Sequence, residues 1–322
     1  MSNYKTVFFT LGILLVILGV AMLIPVIFQL FYKEFNSTFI ISSIITVIFG
    51  ILFFLSNIDH QKTINTQQAF LLTALSWISI AIFGSIPFIF SELKLSVTDA
   101  FFESMSGITT TGSTIISNIE TTPKAILIWR AMLQWLGGIG IILMAITLMP
   151  IMNIGGMQLL KISGNDTSEK ILPKSKQISL RLIIIYLLLT FSCALFYKIS
   201  GMNYFDSLSH AMTTISTGGF SNYDQSIGYF NNPKIETVSI IFILSSTLVL
   251  NFYDIKKIQI INFLFSFLII FEICLKISQS ERFILWIGEN LDKSFRLFIM
   301  FIIGLNCTYF YTRLTLQIIE SY

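Results

Sequence analysis

Two short stretches carry residue types suited to holding a cation: Thr109-Thr110-Thr111-Gly112 and Ile215-Ser216-Thr217-Gly218. A row of peptide carbonyls can replace the hydration shell of a cation. Glycine admits backbone conformations that other residues avoid, and threonine hydroxyls add further oxygens. Each stretch follows a half-apolar segment, about 98–108 and 204–214, that opens with an acidic residue beside an aromatic (Asp99-Ala100-Phe101-Phe102 and Phe205-Asp206). A helix there would point its partially negative C-terminal end at the same place. Ser96-Val97-Thr98-Asp99 reads as a capping box for the first such helix. One Thr-Gly turn carries little weight, because threonine and glycine also serve close helix packing in membranes. The whole pattern occurring twice carries more.

The elements that must position these turns are membrane spans. Of 322 residues, 54% are hydrophobic and 11% charged, whereas ordinary soluble domains are about a quarter charged. Eight apolar runs are long enough to cross a bilayer: roughly 7–31, 39–57, 68–90, 126–150, 179–200, 235–253, 258–278 and 296–316. The first run is too long for a signal peptide and lacks a small-residue cleavage site. The segments at 98–108 and 204–214 are too short to cross. Proline (Pro123, Pro233) leads from each turn into the next span. The order is span, short re-entrant helix, glycine-containing loop, span, repeated twice. Backbone at membrane depth must be helical unless it lines a water-filled cavity, so the pattern points to a pore.

The loop from about 153 to 181 carries Lys161, Lys170, Lys174, Lys176 and Arg181 and is expected to be cytoplasmic. The N-terminus, Lys256, Lys257 and Arg313 then also lie inside. Ser117 and Asn222, in the segments 92–125 and 201–233, lie outside. The net charge of +3 and the absence of a basic block argue against nucleic acid. Cys193, Cys274 and Cys307 are far apart and give neither a disulfide framework nor a zinc site; His60 and His210 are the only histidines. An enzyme would need convergent acids, bases or metal ligands, and lone carboxylates with two histidines do not supply them.

Four further features have two readings each. Glu103 is a functional candidate as an intramembrane carboxylate, but bracing of the loop by hydrogen bonds is favoured. Arg130, at the outer start of a span, is accounted for by snorkelling. Gly137-Gly138-Ile139-Gly140 lies within an apolar run and reads as close helix packing, not a phosphate loop. Glu272 and Lys276, four apart, read as a pair with each other.

Several longer stretches resemble the Trk/Ktr/HKT superfamily of potassium transporters, most closely the membrane subunit of bacterial Trk systems. They are Thr98-Asp-Ala-Phe-Phe-Glu-Ser-Met-Ser-Gly-Ile-Thr-Thr-Thr-Gly112, Arg130-Ala-Met-Leu-Gln-Trp-Leu-Gly-Gly-Ile-Gly-Ile142, Gly155-Gly-Met-Gln-Leu159, Thr214-Ile-Ser-Thr-Gly-Gly-Phe-Ser221 and Ser226-Ile-Gly-Tyr-Phe230. The resemblance implies an all-α integral membrane protein built from membrane-pore-membrane repeats with re-entrant pore helices. Two repeats are recognisable, behind an N-terminal helix pair, where the family has four. The implied organisation is a helix pair at 1–66, repeats at 67–152 and 179–253 with a cytoplasmic linker at 153–178 between them, and a divergent apolar tail at 254–322 with two further helices. The resemblance implies potassium-binding carbonyls from Thr110, Thr111, Ser216 and Thr217, filter glycines at Gly112 and Gly218, and supporting roles for Asp99 and Glu103. It implies potassium as the transported ion, with none bound as a cofactor. It further implies multi-pass placement in the bacterial inner membrane, a cytosolic nucleotide-binding regulatory subunit, and a homodimer. After about Leu248 no third or fourth Thr-Gly filter follows, so a non-conducting remnant of such a transporter is the alternative expectation.

Overall fold

The structure is a computed structural model, and it describes residues 4–34, 36–59, 65–152 and 171–251. Residues 1–246 cluster as one unit, which is the one described below. Residues 247–322 form another, of which only the end of the last helix is among the described residues. The expected spans at 258–278 and 296–316, the Glu272–Lys276 pair, Cys274, Cys307, His60 and most of the basic loop lie outside the described residues.

All described elements are helical. They are α1 (Lys5–Ala21), α2 (Leu23–Tyr32), α3 (Thr38–Ser56), α4 (Thr66–Ile89), α5 (Val97–Ile108), α6 (Lys124–Met152), α7 (Ile171–Ile199), α8 (Tyr204–Ile215) and α9 (Pro233–Asn251). Met22 joins α1 to α2 in near-helical geometry, so Lys5–Tyr32 forms one apolar rod. That rod, α3, α4, Lys124–Met144 of α6 and Ser179–Ile199 of α7 are each long and apolar enough to cross a membrane. The chain is a multi-pass membrane protein. Helix α7 begins earlier than its apolar run predicts, so 171–178 are helical where a linker is expected. Pro173 sits in the first turn, where a missing N–H costs nothing.

The side-chain distribution is that of a protein solvated by lipid. Ile17, Leu30, Phe31, Leu55 and Phe191 are exposed on helix surfaces. Small polar residues are buried between helices: Ser43 Oγ donates to the Gly19 carbonyl at 2.6 Å, joining α3 to α1. A Cβ on Gly12 of α1 would lie 2.7 Å from the Gly50 carbonyl of α3. Without a hydrophobic force between helices in lipid, close small-residue packing and such bonds hold them together. Inside, Leu15, Met22, Phe39, Phe88, Trp129, Leu133 and Phe205 form a core joining the first rod to α4, α6 and α8. The N-terminus of α6 is capped from α2's end, where the Glu34 carboxylate accepts from Lys124 N (2.7 Å) and Ala125 N (3.2 Å).

Candidate cation-coordinating loops

Both re-entrant helices form where expected, and both are twelve residues long. Each has a polar N-cap. Ser96 Oγ accepts from Asp99 N at 3.1 Å, and Asn203 Oδ1 accepts from Asp206 N at 2.7 Å. At Ser96 this is the half of the expected capping box that forms. The complete box is at Asn65 and Gln68 of α4, because a Gln at the third position reaches back to the cap and an Asp is one methylene short of it.

The loops leave their helices along the same path. Two residues past the helix end, Thr110 and Thr217 adopt φ of 56° and 55°; four past it, Gly112 and Gly219 adopt 79° and 82°. The bonds match as well. Thr110 N donates to Gly107 O and Thr111 N to Ser106 O; Thr217 N donates to Thr214 O and Gly218 N to Thr213 O. A left-handed φ is an outlier for a β-branched residue, and costs of order 1–3 kcal/mol. Its recurrence at the same step of both loops marks a backbone shape that the surroundings enforce. This geometry corrects the expected register. Counting from the helix ends, Gly112 corresponds to Gly219, and Thr111 corresponds to Gly218. Aligning the two Thr-Gly pairs by composition slips the second loop by one residue.

The loops touch. A Cβ on Gly112 would lie 2.2 Å from the Gly218 carbonyl. Behind them runs α6, whose glycines face the two helix ends: a Cβ on Gly137 would lie 1.9 Å from Ile108 O, and one on Gly138 would lie 2.9 Å from Ser216 Cβ. This glycine run is a packing device that admits both re-entrant helices to one side of α6.

Polar side chains fix the strands that leave the loops. Glu103, on α5, is 0% exposed. Its carboxylate accepts from Thr114 Oγ1 at 2.9 Å, Ile115 N at 3.1 Å and Arg130 Nε at 2.7 Å. Arg130 does not snorkel. It is 1% exposed, donates from Nη1 to Ser221 O at 3.1 Å, and lies 4.2 Å over the Phe220 ring. The buried Glu103 carboxylate on α5 pairs with the guanidinium through a charge-assisted bond at 2.7 Å.

At the helical position equivalent to Glu103, α8 carries His210. Its Nδ1 faces the Asp206 carbonyl at 2.9 Å and its Nε2 faces Ser221 Oγ at 3.0 Å. A carbonyl only accepts, so Nδ1 carries the proton, and Nε2 of the neutral ring accepts from Ser221. Asp206 is 1% exposed and accepts from Asn203 Nδ2 (2.6 Å), Asn222 Nδ2 (2.8 Å) and Tyr223 OH (2.7 Å). Burial first, and then donation to Asp206, hold the Tyr223 phenol above its ordinary pKa. Asn222, expected to face outside, has its side chain buried. Asp99, the counterpart of Asp206, is half-buried.

Sequence reasoning missed Gln134 and Gly219. Gln134 donates from Nε2 to Gly218 O at 2.8 Å and accepts at Oε1 from Phe220 N at 3.0 Å. The available signal was a polar residue one turn after Arg130 inside an apolar run. Among the described residues no group of three or more His, Cys, Asp or Glu is arranged to hold a metal ion.

The chain is similar to known proteins. The sequence profile of the TrkH family, described as a cation transport protein, matches residues 35–286. The Trk system potassium uptake protein TrkH of Halomonas elongata is 41% identical over 240 residues, 73% of this chain and 50% of that protein. The TrkH of Escherichia coli K12 is 38% identical over 252 residues, 76% of this chain and 51% of that protein. The crystal structure of the potassium transporter TrkH from Vibrio parahaemolyticus superposes with a TM-score of 0.67 at 35% identity, covering 75% of this chain and 49% of that one. The chain thus spans about half the length of the curated relatives it matches.

Proposed function

The chain belongs to the TrkH family of cation transport proteins, and we propose that it supplies two filter strands to a potassium-uptake pore in the bacterial inner membrane. The observation that carries this reading is the repeated backbone: a left-handed threonine and then a left-handed glycine, at the same steps past two equal helices, in loops that touch. Residues alternating in the sign of φ turn successive peptide carbonyls to one side, the arrangement that strips and coordinates a cation. The strands are 110–112 and 216–219. Their ligands are the carbonyls of Thr110, Thr111, Gly112, Ser216, Thr217 and Gly218, with Gly219 as the counterpart of Gly112. The Gly218 oxygen already accepts from Gln134 but has a second lone pair. Asp99 and Glu103 support the first strand. Potassium is cargo, and no cofactor takes part. The parts are a helix pair (1–66), a repeat (67–152), a linker (153–178), a repeat (179–253) and an apolar tail (254–322).

A carbonyl filter compensates dehydration by surrounding the ion, and two strands surround it on part of its circumference only. The complete ring takes two further strands, and a second copy of this chain is one source of them. A cytosolic nucleotide-binding subunit of the kind Trk systems employ is the proposed regulator. The open circumference left by two strands favours a second reading, a chain that does not conduct by itself. Rubidium uptake into proteoliposomes holding the purified chain separates the two. Uptake that is abolished by Gly112→Leu supports the pore, whereas uptake at the level of empty vesicles supports the non-conducting reading.

A further inference from the structure

We propose that Gln134 is a positioning residue through which α6, a helix of the first repeat, sets the backbone of the second loop and hence its preference among cations. This inference deepens the filter reading and rests on it.

Gln134 is 0% exposed, and its amide grips the loop at two points. The Nε2–H group holds the Gly218 carbonyl at 2.8 Å and Oε1 holds the Phe220 N–H at 3.0 Å. The two bonds flank Gly219, the residue at φ 82°. A donor and an acceptor fixed on one rigid planar group define how the peptides between them are turned. Arg130, one turn earlier on α6, holds a carbonyl further along the strand, that of Ser221, at 3.1 Å. The fit leaves no room for alternatives. A Cβ on Gly218 would lie 2.4 Å from Gln134 Cδ, so the loop backbone sits directly on the amide. The Gly218 oxygen lies between Gln134 and Gly112, which puts the clamp at the point where the two loops meet. The first loop is held differently: Ser106 Oγ, from its own helix, donates to Ser113 O at 2.6 Å.

Selectivity among cations of one charge depends on where carbonyl dipoles sit and how freely they move, so a side chain that fixes one carbonyl acts on it directly. The test is hydrogen–deuterium exchange of the purified full chain in lipid nanodiscs, read on peptides covering 216–223, in potassium and in sodium at equal ionic strength. In the unaltered protein the Phe220 amide is protected, more strongly in potassium than in sodium. Gln134→Met removes both bonds at similar volume. Exchange at Phe220 then rises about tenfold, as expected for a buried bond worth about 1.4 kcal/mol, and the potassium–sodium difference disappears. Gln134→Glu keeps the acceptor and loses the donor; Phe220 stays protected while the cation difference is lost. Peptides from α1 and α3 report whether either variant is folded. Unchanged exchange in a folded Gln134→Met protein overturns the clamp. Faster exchange with the cation difference intact overturns the role in selectivity. An unaltered protein that exchanges identically in both cations overturns the filter reading of this loop, and the selectivity role with it, while the variant exchange still judges the clamp.

Discussion

The two loops share a backbone and differ in what enforces it. In each, the seventh residue of the re-entrant helix reaches forward to the strand leaving the loop: Glu103 to Thr114 and Ile115, His210 to Ser221. A carboxylate does this in the first repeat and a neutral imidazole in the second. Arg130 of α6 then serves both, by an ion pair with Glu103 at 2.7 Å and a bond to Ser221 O. The first loop is open, with Thr111, Ser113 and Thr114 exposed. In the second loop, from Ser216 to Phe220, only Thr217 and Gly219 are exposed. A loop that is largely buried needs a partner for every peptide group, and Gln134 and Arg130 supply partners from the neighbouring repeat. The backbone shape is thus common to both loops, and the means of holding it is set by local surroundings.

The largest expected effect comes from the glycines. Gly112→Leu or Gly219→Leu should lower rubidium uptake by about a hundredfold or more, because each forces a side chain onto a left-handed residue within the filter. Alanine sharpens the comparison. Gly219→Ala meets no atom within 4 Å, whereas at Gly112 a Cβ would meet the Gly218 carbonyl at 2.2 Å. Gly219→Ala should cost only the backbone strain, about 1–2 kcal/mol, and Gly112→Ala distinctly more, as read by thermal unfolding in detergent. Equal costs would break the claim that the loops differ in their surroundings.

Arg130→Met should destabilise by about 3–5 kcal/mol, because it leaves the buried Glu103 charge unpaired. The double variant with Glu103→Met should lose less than the sum of the two single changes, since it leaves neither charge alone. His210→Gln, which removes a neutral contact, should cost only about 1 kcal/mol. A His210 effect as large as that of Arg130 would contradict the assignment of the carboxylate–guanidinium pair as the main brace.

Orientation has no stability effect and is checked by labelling. Cysteines at the exposed positions Ser117 and Gln225 should react with a membrane-impermeant reagent added outside. One at Lys170 should react only after the membrane is opened.

Nearly all the helices were legible, because apolar runs of membrane length leave few choices. The two re-entrant helices were legible from their acidic starts and Thr-Gly ends. What sequence could not give was the set of contacts between distant segments. Arg130 reads as an interfacial arginine because Glu103 is 27 residues away and Ser221 is 91 away. Gln134 reads as an incidental polar residue because its partners Gly218 and Phe220 lie more than 80 residues on. The register slip at Gly218 has a simple cause. Composition aligns the Thr-Gly pairs, but the turn is measured from the helix end, and only φ distinguishes Gly219 from Gly218.

The central claim, that the two loops form equivalent parts of one cation site, is tested most directly by a crystal structure grown in rubidium with anomalous data collected at its edge. The account predicts an anomalous peak where the loops meet, lined by carbonyls from 110–112 and from 216–219. Density confined to one loop, or carbonyls of both strands turned away from a common point, would contradict it.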